Sequence, residues 1–342
     1  MFKIYIEGNI LKHIVDSEKG KSEQVRSPLF KLLQKLRIVY VSNTDVASIQ
    51  SFRTEAKINA DSSQSAYILN IAEHPETVLQ HPSSLFILNI PIIEAERIQK
   101  SFGVMCLSGE AMNISPLIDV NDIHISNERE KLGKGWDSVL DSVETLPSNA
   151  LLLCDRYLFA FRHPNAGDGI ANIYDILDEL LPRKFLGGDY HVTVVFDNMA
   201  KHTTYTFDDI ATQLNKLKQQ LNRDYPIMME VLGITPDCSI YNKLHNRLIV
   251  SNYYLVEAGH KLAAFNHDKG TARQTLLPLA LFTECSLNGT STPPLKVIEQ
   301  TTSTLRDFSK SLPKLTDHTT YFYAVNGQRM EKCIAIRNRL IK

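Results

Sequence analysis

The chain has 342 residues, 43% of them apolar and 22% charged, which fits one large or two ordinary folded domains and is the composition of a soluble globular protein rather than a disordered one. A formal net charge of -1 excludes a global basic field that would draw in nucleic acid without sequence help, and leaves room for a local patch. Five cysteines, Cys106, Cys154, Cys238, Cys285 and Cys333, form neither a C-x-x-C pair nor a disulfide framework, so reduced core thiols are expected.

The opening MFKIYIEGNILKHIVDSEKG lacks the basic, apolar and small-residue succession of a signal peptide. No apolar run approaches the roughly eighteen residues of a membrane helix. The expectation is a cytoplasmic protein with no transmembrane segment. FKIYIEG reads as a strand, and SPLFKLLQKL as a helix capped by Ser27 with Pro28 in its first turn. RIVYVSN is a β-branched strand, residues 45–60 are helical, and SAYILNI and SSLFILNI are two further strands. PIIEAERIQKSFG follows as a helix from Pro91 to Gly103, and VMCLSGE is a short strand. Strand and helix taking turns predict a parallel-rich sheet with helices outside.

Residues 111–147 carry turn formers and a helix near Trp136, and form a linker between an N-terminal α/β domain (1–110) and a C-terminal α/β domain with an extension (148–342). Gly133 and Gly135 flank Lys134, but the phosphate-loop pattern G-x-x-x-x-G-K-[ST] is missing. In the second domain, ALLLCDRYLFAF, YHVTVVFD and YPIMMEVLG are strands separated by two helices. The second helix places Ile210, Leu214, Leu217 and Leu221 on one face. LHNRLIVSNYYLVEAGH then continues as two strands or one bent strand. TTYFYAVNGQRM is a strand running into an Asn-Gly turn, and the basic IAIRNRLIK suits a helix end.

His245 and Arg247 are two residues apart, so on a strand both side chains leave one face and can meet one anion. With Asn252, Gly259 and His260 they keep the spacing of H-x-K-x4-D-x6-G-S. That spacing, in a strand-helix-strand-helix-strand context over residues 148–285, resembles the phospholipase D superfamily, with lysine, aspartate and serine replaced. Asp155, Arg156 and Tyr157 are similar to the Asp-x-Tyr of non-catalytic phospholipase D-like domains found after microtubule-interacting and trafficking modules.

The resemblance implies a phospholipase D-like α/β domain, His245 as the nucleophile toward phosphorus, Arg247 holding the phosphate and Asn252 in the aspartate position. A homodimer would supply the second motif. It also implies a binding surface that includes Asp155, Tyr157 and His260, to which Lys269 and Arg273 of HDKGTARQT add donors. Three readings stay open for the His245 and Arg247 pair: a catalytic pair, a non-catalytic anion site, or a hydrogen-bonded strand pair. The 266–275 loop is either a phosphate contact or a solvated turn. The histidine spacings match no metal-ligand motif, and no cofactor is expected. The partners to consider are DNA or RNA, anionic phospholipid or a protein. A wider reading is a defence or signalling factor whose first domain senses and whose second acts. Tyr5 to Asn9 resemble the start of a PIN-type ribonuclease, with Glu7 and Asn9 in the place of Asp-x-Asn, and Glu55, Asp61, Glu94, Glu96 and Glu110 as further carboxylates.

Overall fold

The computed structural model describes residues 2–118, 135–140, 143, 146–159, 168–197, 207–244, 246–259, 262–265, 276–283, 293–312, 321–326, 329–332 and 335–341. It is an α/β structure that divides into two units, Met1–Pro116 and Leu117–Lys342. Among the described residues no helix is long and apolar enough to cross a membrane.

Unit one holds a five-stranded sheet made of β1 (Lys3–Glu7), β2 (Val39–Ser42), β3 (Ala60–Asp61), β4 (Ser84–Leu88) and β5 (Met105–Ser108). All its pairings are parallel, in the order β3-β2-β1-β4-β5. Ile4, Tyr5 and Ile6 of β1 are fully buried, as a central strand covered on both faces requires. The helices are α1 (Gly8–Glu18), α2 (Pro28–Lys35), α3 (Val46–Thr54), α4 (Ser65–Asn70) and α5 (Ile92–Phe102). Ser27 Oγ caps α2 by accepting the N–H of Phe30, and Asp45 Oδ1 caps α3 by accepting that of Ser48. Gly103 closes α5 with a left-handed φ of 61°.

SAYILNI, expected as a strand, is helix α4. The third sheet position is filled earlier by Ala60 and Asp61, and a helix turns Ile68 and Ile71 into the aromatic cluster around Tyr5. In that cluster Tyr5 stacks on Tyr40, His81 and Phe86, while Tyr67 meets it edge-on.

Where β1 gives way to α1, Gly8 has no room for a side chain. A Cβ there would stand 2.5 Å from the Ser42 carbonyl oxygen and 2.8 Å from Thr44 Cβ. Neither neighbour is the far end of a flexible chain. Gly8→Ala is expected to cost about 1–3 kcal/mol by overpacking, and denaturant melts of the full chain would check it.

Unit two is built on an eight-stranded mixed sheet, in the order β11-β10-β9-β6-β7-β8-β12-β13. Its centre is three parallel strands, β6 (Ala150–Cys154), β7 (Tyr190–Asp197) and β8 (Ile227–Ile234). β9 (Arg247–Val250), β10 (Tyr254–Ala258) and β11 (Leu276–Ala280) extend one side antiparallel, and β12 (Tyr321–Asn326) and β13 (Arg329–Lys332) extend the other. Every residue of β6 and β7 is buried. Pro278 sits in β11, at the sheet edge, where a strand tolerates a missing N–H.

The helices of this unit include α6 (Ser115–Ile118), which begins in unit one, and α7 (Trp136–Leu140), α8 (Asp168–Leu180), α9 (Phe207–Leu221) and α10 (Pro294–Ser311). The expected apolar face of α9 is buried at Ile210, Leu214, Leu217 and Leu221. ALLLCDRYLFAF does not run on as one strand, because Asp155 turns the chain after Cys154. The basic end of IAIRNRLIK is not a helix. Residues 335–341 form an irregular segment bonded into the sheet: the Asn338 side chain donates to the Leu151 carbonyl at 2.9 Å, and the Arg337 N–H donates to Glu230 at 3.0 Å. Cys106, Cys154 and Cys238 are buried.

Candidate functional site

In an open sheet, ligands bind outside the carboxyl ends of the parallel strands. In unit two that edge is made by the ends of β6, β7 and β8. Because β9 runs antiparallel to β6, its first residue, Arg247, arrives at the same edge. Leu248 is paired with Cys154, which leaves Arg247 beside the Asp155-Arg156-Tyr157 turn.

Asp155 builds that turn from a buried position. Its Oδ1 accepts the N–H of Tyr157 at 2.9 Å and its Oδ2 accepts the N–H of Leu262 at 2.6 Å. One carboxylate therefore ties the end of β6 to the segment that follows β10. Asn172 of α8 holds the far end of that segment: its Oδ1 accepts from the Phe265 N–H at 3.0 Å and its Nδ2 donates to the Phe265 carbonyl at 2.7 Å.

Arg156 is only 8% exposed. Its guanidinium lies over the Tyr241 ring, 3.6 Å from the centroid, and donates to the Tyr241 carbonyl. The Tyr241 hydroxyl donates to Asp197 Oδ2 at 2.6 Å, and the Asp197 N–H donates back to the Arg156 carbonyl at 3.0 Å. The ends of β6 and β7 and the turn after β8 are thus joined in one circuit. Burial, then the Asp197 carboxylate, push the Tyr241 phenol up to about 12, so it stays a neutral donor at ordinary pH.

Tyr157 is 42% exposed, and the Arg247 guanidinium stands 5.6 Å from its ring centroid. Among the described residues Arg247 forms no salt bridge, and its Nε, like that of Arg156, is buried with no hydrogen-bond partner. Cationic donors desolvated without an acceptor cost free energy that an arriving anion would offset. A cavity of about 670 Å³ lies between the turn after β8 and α10, and is lined by Ser239, Lys243, Lys296, Glu299 and Asp307 among others. Its lining mixes both signs of charge, and Asp307 is paired with Lys310.

No protein-family model and no curated protein matches the chain. The reading of the site therefore rests on its own residues. Asp155, Tyr157 and Arg247 come together at the carboxyl edge. Asn252 does not join them: it lies in the β9–β10 turn, at the other end of a four-residue strand, roughly 13 Å away at about 3.3 Å per residue. There Asn252 Oδ1 accepts the Asn149 N–H at 3.0 Å and its Nδ2 donates to Asn149 Oδ1 at 3.1 Å. His245, His260, Lys269 and Arg273 lie outside the described residues. Arg156, Asp197 and Tyr241 were missed as members. For Asp197 the available signal was a carboxylate closing a parallel strand.

In unit one, Glu7 Oε1 accepts the Asn89 N–H at 2.7 Å, and Asn9 is exposed on α1. Glu94 pairs with Arg97, Glu96 with Lys100, and Asp61 accepts from the Ser63 N–H. Among the described residues no group of three or more His, Cys, Asp or Glu is arranged to hold a metal ion.

Proposed function

We propose that the protein recognises phosphodiesters of nucleic acid at the carboxyl edge of unit two. In this reading it is a cytoplasmic phospholipase D-like homodimer in which Arg247 holds the phosphate and His245 stands as nucleophile. The observation that supports it is Arg247 itself: a guanidinium that forms no ion pair among the described residues, over the ring of an exposed tyrosine, at the edge where such sheets bind ligands. The fork of donors on a guanidinium suits phosphate oxygens. His245 enters through sequence spacing alone. A non-enzymatic binding module is the second reading, favoured because Asn252 is committed to Asn149 and stays out of the site.

Labelled DNA and RNA, single- and double-stranded, mixed with wild type, His245→Ala and Arg247→Ala would test this. Arg247→Ala is expected to weaken binding roughly 10- to 100-fold, the value of a charge-assisted hydrogen bond of about 1.5–3 kcal/mol. Cleavage by wild type that folded His245→Ala lacks would establish the nuclease reading. Binding without cleavage would support nucleic-acid recognition without the nuclease step. If no nucleic acid binds while anionic vesicles do, the proposal is overturned in favour of a phospholipid site.

A further inference from the structure

We infer that the nucleic acid taken by this site is single-stranded, with an unpaired base stacked on Tyr157 while Arg247 holds the adjoining phosphate. This rests on the phosphodiester reading above and names its substrate class. Tyr157 is the one aromatic among the exposed large hydrophobic side chains of the described residues, and its chain neighbours Arg156, Leu158 and Phe159 are all buried. The turn that presents it is pinned by hydrogen bonds, with Asp155 accepting the Tyr157 N–H through its side chain and the Leu158 N–H through its carbonyl. An aromatic ring held outward on a fixed backbone loses little conformational entropy when something flat is laid on it.

The guanidinium lies over one face of the ring, 5.6 Å from its centroid, so a base would stack on the opposite face with the cation behind it. A ligand that uses both must carry an accessible flat face next to a negative charge. A nucleotide with an unpaired base does. In a duplex the base faces are already stacked on one another, leaving only phosphates for the cation, and a phospholipid headgroup has no aromatic face. Stacking on aromatic side chains with basic residues along the backbone is how single strands are commonly held, whatever the sugar.

The test is fluorescence anisotropy of the full chain with three labelled ligands of equal length: a single strand, the same strand annealed into a duplex, and an abasic strand that keeps the phosphates and lacks the bases. Wild type is expected to bind the single strand more tightly than the other two. Tyr157→Ala should lower single-strand affinity roughly 5- to 100-fold and leave the abasic strand unchanged, while Tyr157→Phe keeps the preference. Arg247→Ala should weaken all three. Equal binding of the intact and abasic strands, or a single-strand affinity indifferent to Tyr157→Ala while Arg247→Ala still lowers it, overturns the stacking inference and leaves the phosphodiester reading standing. Failure of all three ligands to bind removes both.

Discussion

Between about pH 4.5 and pH 7 the contribution of Glu230 to stability is expected to fall by up to roughly 3 kcal/mol as the pH rises, so that wild type loses stability relative to Glu230→Gln across this window. Glu230 is fully buried in β8. Burial raises its carboxyl from 4.5 to about 7, against the opposing hydrogen bonds from the Arg337 N–H and the Thr193 hydroxyl. Its folded-state pKa therefore lies above its unfolded one. Within that window the folded chain keeps a proton that the unfolded chain has released. The stabilising contribution is complete below the unfolded value and is lost as pH climbs through the folded one. Urea melts of wild type and Glu230→Gln across the window isolate the term, because the other titrating groups are common to both. Parallel pH profiles for the two proteins would refute it.

Asn172→Ala is expected to cost roughly 3 kcal/mol or more, at about 1–3 kcal/mol for each buried group it strands. The side chain accepts from Trp136 Nε1 at 2.8 Å and from the Phe265 N–H, and donates to the Phe265 carbonyl. Trp136 is 1% exposed and meets Phe265 edge-on, with centroids 5.6 Å apart. Alanine would leave an indole N–H, an amide N–H and a carbonyl buried without these partners. The chain has a single tryptophan, so its emission follows this corner of unit two directly during a denaturant melt. A midpoint shift equivalent to less than about 1 kcal/mol would mean that water or a neighbour takes over the three groups. Because Asn172 also holds the segment from Leu262 to Phe265, the variant should weaken ligand binding at the carboxyl edge more than its stability alone explains.

The alternation of strand and helix was legible because it is written locally. β6, β7 and β8 are near-continuous apolar runs, and α9 carries its apolar face at helical spacing. SAYILNI misled because a short apolar run does not distinguish a strand from a buried helical turn, and only packing against Tyr5 decides between them. At the site, Arg247 and Asp155 could be singled out from motif spacing. The part played by Tyr241 could not, since it depends on a turn 85 residues beyond Arg156 folding back over that arginine. Asn252 fell within the motif by spacing, yet a hairpin turn carries it to the opposite end of the sheet. The anchoring of residues 335–341 joins positions 107 and 187 residues apart, a separation at which sequence periodicity carries no information.

That same anchoring orders events during synthesis. Leu151, Thr193 and Glu230 leave the ribosome well before Arg337 and Asn338, the residues that satisfy them. At about 5–20 residues per second, the 107 residues between Glu230 and Arg337 take on the order of ten seconds to translate. Through that interval the central strands of unit two exist without the hydrogen-bond partners that residues 335–341 bring.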